Sequence, residues 1–201
     1  MGPGTNRMNL TVVSRAAAGI GAYLRSRVGD ATIVIGFDAR YNSRAFAERS
    51  AQIFTAQGHQ VTLMPQTWPT PVLAFAVRHL EADCGIMVTA SHNPARDNGY
   101  KVYLGGRAAE ADGRGVQIVP PADADIAEKI ANVGPLAQIA RAESGWQIAP
   151  EALWDSYLET IAPIAPVVSG AAKEVRIVHS AMHGVGPVSY THLRAHETEA
   201  D

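Results

Sequence analysis

Apolar residues recur at helical spacing from Leu10 to Val28, with Val12, Val13, Ala16, Ile20 and Tyr23-Leu24 on one face, and predict a first helix that Gly29-Asp30 ends. The run from Ala31 to Phe37 changes character. Ile33-Val34-Ile35 is almost continuously apolar and predicts a strand buried on both faces, ending at Asp38-Ala39-Arg40. Ser43 is the expected N-cap of a helix reaching about Gln57, and Gln60 to Met64 the next strand. Thr70, as cap, and Pro71, at the first helical position, open a third helix whose buried face is Val72, Phe75, Ala76 and Leu80. Ile86-Met87-Val88 is again strand-like and gives way to small and polar residues, Thr89-Ala90-Ser91-His92-Asn93-Pro94. Asn98-Gly99 signals a turn, and Tyr100 to Leu104 alternates as a strand does.

Beyond Gly105-Gly106 and Gly113, Gln117-Ile118-Val119 reads as extended. A helix is expected from Pro121 to Asn132, with Asp123 and Asp125 near its positive end. Pro150 to Ile164 is amphipathic, with Leu153, Tyr157, Leu158 and Ile161 on one side. Strand, helix, strand, helix, strand predicts right-handed crossovers and a parallel sheet covered on two sides. The Tyr100 strand follows its predecessor too closely for a helical crossover, and a wide loop can turn it antiparallel. The expectation is an α/β fold: a three-layer α/β/α first domain with a mixed, mostly parallel sheet, plus the start of a second, similar domain.

Pro163, Pro166 and Gly170 mark a linker before a new strand at Val175 to Val178, so a boundary is expected near Val168. The organisation read from the chain is a first domain over 1–167 and a linker with the opening of a second over 168–188. From Ser189 the text SYTHLRAHETEAD has no apolar periodicity and resembles a translated sequencing-adapter tail, so 189–201 is set aside from the fold. Its His192 and His196 lack the further ligands a metal site needs.

Composition narrows the partners. The 201 residues are 47% hydrophobic, enough for a core, and 17 basic against 19 acidic residues leave a net charge of −2. No Lys/Arg cluster suited to tracking a phosphate backbone is present, which argues against a nucleic-acid partner. Cys84 is the single cysteine; it cannot form an internal disulfide and sits in an apolar run as a small buried hydrophobe, fitting a reducing compartment. No stretch approaches the ~20 apolar residues needed to span a bilayer. A soluble, cytoplasmic protein without a membrane partner is expected.

The chemistry concentrates in the loop after Val88. Ser91 lies just past the carboxyl end of a strand, where open α/β sheets place their ligand crevices. An isolated loop serine there simply caps the next turn. Here the string Thr89-Ala90-Ser91-His92-Asn93-Pro94, followed by Asn98-Gly99-Tyr100-Lys101, resembles the phosphoserine loop of the α-D-phosphohexomutases, the phosphoglucomutases and phosphomannomutases. GFDARYNS from Gly36 and TPVLAFAVRHL from Thr70 resemble most the phosphoglucomutase/phosphopentomutase branch, and the likeness covers roughly Gly2 to Gly186, including the His183-Gly184-Val185-Gly186 turn.

The resemblance implies that Ser91 carries the phosphoryl group and, through its phosphate, helps hold Mg²⁺, and that His92 and Asn93 contact phosphate or substrate oxygens. It implies a phosphorylated aldose as substrate and a glucose bisphosphate as activator. A backbone-bonding role for His92 stays open. Side chains of neighbours in an extended segment point to opposite sides, so Ser91 and His92 are not expected to pair as nucleophile and base. The flanking text also lacks G-x-S-x-G, against a serine hydrolase. Lys101, on the strand after the loop, is the candidate for proton transfer, its alternative being a surface lysine. Arg40 ends the first strand on the same sheet edge, open both to phosphate binding and to a structural role, with Asp38 as a neighbour to pair with. Arg7 is left out of the site. No DxDxD-type acidic loop follows Ile177, so the remaining metal ligands are expected in the rest of the second domain. The chain reads as the first domain and the opening of the second, from a protein more than twice as long. A non-catalytic phosphate-binding module is the reading from another class.

Overall fold

The computed structural model describes residues 2–5, 7–164, 176, 178, 180 and 184–186. The boundary expected near Val168 and the tail from Ser189 lie outside the described residues, as do Val175 and Ile177 of the strand expected at Val175 to Val178. In chain order the regular elements are α1 (Leu10–Val28), β1 (Thr32–Phe37), α2 (Ser43–Ala56), β2 (Gln60–Leu63), α3 (Thr70–His79), β3 (Cys84–Val88), β4 (Tyr100–Leu104), β5 (Val116–Gln117), α4 (Ala122–Ala131), β6 (Gln147–Ile148) and α5 (Ala152–Ile161).

The strands form one sheet in the order β5-β4-β3-β1-β2-β6. β1 runs parallel to β2 and β3, and β6 parallel to β2, whereas β4 and β5 are antiparallel. The mixed, mostly parallel sheet expected from the crossovers is therefore present. Alternation along the strands sorts the core into two layers. Ile33, Ile35, Phe37, Ile86, Val88, Val102 and Leu104 pack under α1, α2 and α4. Val34, Met87 and Tyr103 face the other way, under α3 and α5. Cys84 is fully buried, and burial pushes its thiol pKa up, as befits an inert core residue. No helix among the described residues is long and apolar enough to cross a membrane.

Two glycines set helix distances. A Cβ on Gly85 would stand 2.3 Å from Val77 Cγ2, so its absence lets α3 sit down on β3. On Gly19 it would lie 2.6 Å from the Ile130 Cα, so α4 crosses α1 at a point with no side chain to hold it off.

The helix starts differ from expectation by one residue. Asn42, in the left-handed region at φ 64°, occupies the N-cap of α2, and Ser43 is already helical because its hydroxyl donates to Asp38 rather than capping. Pro69, in an extended conformation, occupies the cap of α3, leaving Thr70 and Pro71 as the first two helical residues. β6 was not expected: two residues carry no alternation, and the strand is held by its parallel register with Thr62 and Leu63 and by Ala149 N–H on Leu63 O at 2.9 Å. Trp154 of α5, absent from the expected face, stacks on Trp68 with ring centroids 5.6 Å apart.

Phe54 is fully buried between α2 and the sheet. Phe54→Ala should cost about 3–5 kcal/mol, read as a lower urea midpoint with an unchanged slope. A loss under about 1 kcal/mol would mean that the layer collapses to refill the space.

Candidate active site

The three parallel strands β1, β2 and β3 end at the same edge, and the antiparallel return of β4 brings the loop 89–99 back to it. Ser91 projects from that loop and is exposed. Its backbone is in the left-handed region, φ 55°, a conformation that costs an L-residue roughly 1–2 kcal/mol and that persists where the surroundings over-determine it. The surroundings here are specific. Ser91 N–H donates to Thr89 Oγ1 at 3.0 Å, and the Thr89 hydroxyl donates to Asp38 Oδ2 at 2.7 Å.

The positive φ also corrects one expectation. The loop is not extended at Ser91, so Ser91 and His92 do not point to opposite sides: Ser91 Oγ lies 3.5 Å from His92 Nδ1. That separation exceeds a well-formed O–H···N bond, and the pair makes no activated nucleophile by itself. The expected turn at Asn98-Gly99 is displaced as well. The chain turns at Pro94–Asp97, where Asp97 N–H donates to Pro94 O at 2.9 Å. Asn98 is instead buried, its Nδ2 donating to Tyr41 O at 3.0 Å and Ser43 Oγ at 2.8 Å.

Arg40 lies beneath the loop, its side chain 7% exposed. Nε donates to Asp38 Oδ2 at 3.1 Å, Nη1 to Pro94 O at 2.8 Å and Asp97 O at 3.3 Å, and Nη2 to Ser91 O and, at 3.0 Å, to Asn93 O. The five N–H groups of the guanidinium are matched by five acceptors. Asp38 is equally engaged: Oδ1 accepts from Arg40 N–H at 3.1 Å and the Ser43 hydroxyl at 2.7 Å, Oδ2 from Arg40 and Thr89.

A cleft of about 480 Å³ opens in front of Ser91, bordered by His92, Asn93, Thr89, Met87, Asp38, Arg40 and the start of α3 at Pro69–Pro71, with Gly184, Val185 and Gly186 at one side. Asn93 holds its part of the loop by N–H to Ala90 O at 3.0 Å. Lys101 is half-buried on β4, directly opposite Met87 in the register, and thus on the face of the sheet that looks toward the cleft's floor. It is one side chain removed from the cleft, whose border includes Met87 but not Lys101.

Residues 2–135 match the family model described as "Phosphoglucomutase/phosphomannomutase, alpha/beta/alpha domain I". The chain belongs to this family. A Haemophilus influenzae protein named "Probable phosphomannomutase" is 42% identical over 181 residues, 89% of this chain and 36% of its own length. The Homo sapiens phosphopentomutase is 34% identical over 215 residues, 92% of this chain and 32% of its own. A solved structure from Thermus thermophilus superposes with a TM-score of 0.67 at 29% identity, covering 81% of this chain and 34% of that one. The chain therefore spans about a third of the length of the curated relatives it matches.

Family membership raises the question of Mg²⁺. Among the described residues no group of three or more His, Cys, Asp or Glu side chains converges as a metal site. Of the carboxylates at the serine loop, Asp38 already accepts four hydrogen bonds and is not disposed as a ligand, and Asp97, within the loop, faces Asn93 Nδ2 at 3.5 Å. The described residues do not by themselves fit the ion.

Sequence reading singled out Ser91, His92, Asn93, Arg40 and Lys101. The structure brings the first four to one cleft, Arg40 from beneath the loop, and places Lys101 behind Met87. Sequence reading missed Thr89 and Asn98 as parts of the site and took Asp38 only as a salt-bridge partner. The available signal was an Asp two residues before an Arg at a strand's carboxyl end, a spacing that lets a carboxylate accept the arginine's own N–H.

Proposed function

We propose that this chain is the serine-loop domain of a phosphosugar mutase, which moves a phosphoryl group between the C6 (or C5) and C1 oxygens of a phosphorylated aldose. The observation that carries the reading is Ser91: an exposed hydroxyl held in a left-handed backbone at the mouth of a cleft, inside the domain that matches the family. In this reading the P–Oγ bond of phosphoserine 91 breaks as phosphorus bonds to the substrate's free hydroxyl oxygen. The proton of that hydroxyl passes to a base, for which Lys101 is the candidate. The bisphosphate so formed reorients and returns its other phosphoryl group to the Ser91 Oγ freed in the first step, and the sugar oxygen whose bond to phosphorus breaks takes the proton back from that base. In the same reading His92 and Asn93, which border the cleft, contact phosphate oxygens. Mg²⁺ and a glucose bisphosphate activator belong to the reading as implications of the family likeness. Among the described residues only the phosphate on Ser91 would touch the ion.

The test is isomerisation of glucose, mannose and ribose 1-phosphates by the full-length protein carrying this domain, followed in coupled assays with Mg²⁺ and glucose bisphosphate. Turnover of at least one is expected, and inertness toward all three overturns the reading. Residues 1–201 alone are expected to give no turnover above background. Positioning and electrostatics supply nearly all the catalysis in phosphoryl transfer, and no described side chain of this chain neutralises the transferring group with a metal. Turnover by the 201-residue chain that disappears in Ser91→Ala would show that this domain carries the whole site.

A further inference from the structure

We propose that Arg40 is a positioning residue for the phosphoryl-carrying serine: it sets the backbone of Ser91 through the loop carbonyls and does not bind the ligand. The inference rests on the mutase reading. It is carried by the way the two peptide planes flanking the Ser91 Cα are fixed. The preceding plane is held by Ser91 N–H on Thr89 Oγ1, itself tied to Asp38 Oδ2, and the following plane by Ser91 O on Arg40 Nη2. Asp38 and Arg40 are bonded to each other through Nε and through the Arg40 N–H. One ion pair at the end of β1 thus grips both planes, and with them both torsions of the residue that carries the positive φ.

The grip extends beyond Ser91. The same guanidinium gathers the carbonyls of Asn93, Pro94 and Asp97, so four carbonyl oxygens of one loop converge on one cation. A planar fork with five N–H groups satisfies that arrangement, and a lysine ammonium, with three donors on one atom, does not. A phosphate ligand would have to take an N–H from one of these acceptors, breaking one of the bonds that hold the loop. The arginine at the sheet edge is therefore committed to shape. Arg40 borders the cleft, but its five N–H groups are already taken, so phosphate recognition falls to the other groups that border it.

The experiment compares Arg40→Lys and Arg40→Ala with wild type in the full-length protein. It measures hydrogen exchange at the loop amides and the phosphorylation of Ser91 by glucose 1,6-bisphosphate. Arg40→Lys should speed exchange at Ser91 and Asn93. It should lower kcat by around 10²-fold, the scale of a misplacement of about 1 Å, while KM stays within about twofold. Millimolar guanidinium should restore part of the rate to Arg40→Ala. Thr89 gives an independent arm should the arginine variants not fold: Thr89→Ser should keep the rate and Thr89→Val lose it. A raised KM at normal kcat, or loop exchange and rate unchanged in Arg40→Lys, overturns the proposal. So does equal activity of the two Thr89 variants. A wild-type protein that takes no phosphate on Ser91 would instead defeat the mutase reading, and loop exchange in Arg40→Lys would still decide the clamp.

Discussion

Ser91→Ala in the full-length protein should reduce phosphosugar isomerisation to the uncatalysed background while leaving the melting transition essentially in place. The side chain is exposed, so its removal opens no cavity. The backbone cost of the left-handed conformation is common to Ser and Ala, since both carry a Cβ. The hydrogen bonds that fix residue 91 use its N–H and C=O, which alanine retains. What disappears is the oxygen that would hold phosphorus. The same experiment has a direct readout in wild type: after incubation with glucose bisphosphate, peptide mass spectrometry should place phosphate on Ser91. Phosphate found only on another residue, or wild-type turnover by Ser91→Ala, would end the assignment.

Lys101→Met is expected to lower turnover by roughly 10²–10⁴-fold, the range of positioned acid–base groups, with a smaller change in KM. The methionine keeps an unbranched stem against Met87 across the β3–β4 pair and removes only the ammonium, so the sheet should hold. The geometry demands more of Lys101 than of Ser91. Its side chain sits behind Met87 relative to the cleft, so a proton-transfer role requires it to reach past that neighbour toward a bound sugar hydroxyl. Normal turnover with a raised KM would make it a phosphate ligand, and no change in either would leave it a strand lysine.

The layers were legible because burial on two faces leaves continuous apolar runs. Ile33-Val34-Ile35 and Ile86-Met87-Val88 announced their strands, and the short step to Tyr100 announced the antiparallel return. Helix starts were legible only to within a residue. Capping preference treats a serine as serving its own helix, whereas the Ser43 hydroxyl serves a carboxylate on the preceding strand. The two-residue β6 has too few positions for any period to register. Within the site, Ser91 stood out by the company it keeps, but its backbone did not. A positive φ at a non-glycine residue is imposed by tertiary contacts from β1, and no local pattern reports it. The same holds for Asn98, whose Asn-Gly context signals a turn and whose amide is used as a buried cross-link.

The ties from Asp38 and Arg40 to the serine loop cross a long stretch of chain: Thr89 to Asp38 and Arg40 to Ser91 are each 51 residues apart, and Arg40 to Asp97 is 57. The loop's own hairpin, β3 to β4, is local and can close early, but it brings no arginine with it. Both ends of the clamp meet only when β1 and β3 have zipped in parallel, a step that must first meet the entropy of closing a loop that holds α2, β2 and α3. In the order of folding, the hairpin that bears the serine can therefore exist before the site does. The geometry at Ser91 is acquired with the central strand pair, at the moment the domain becomes a domain.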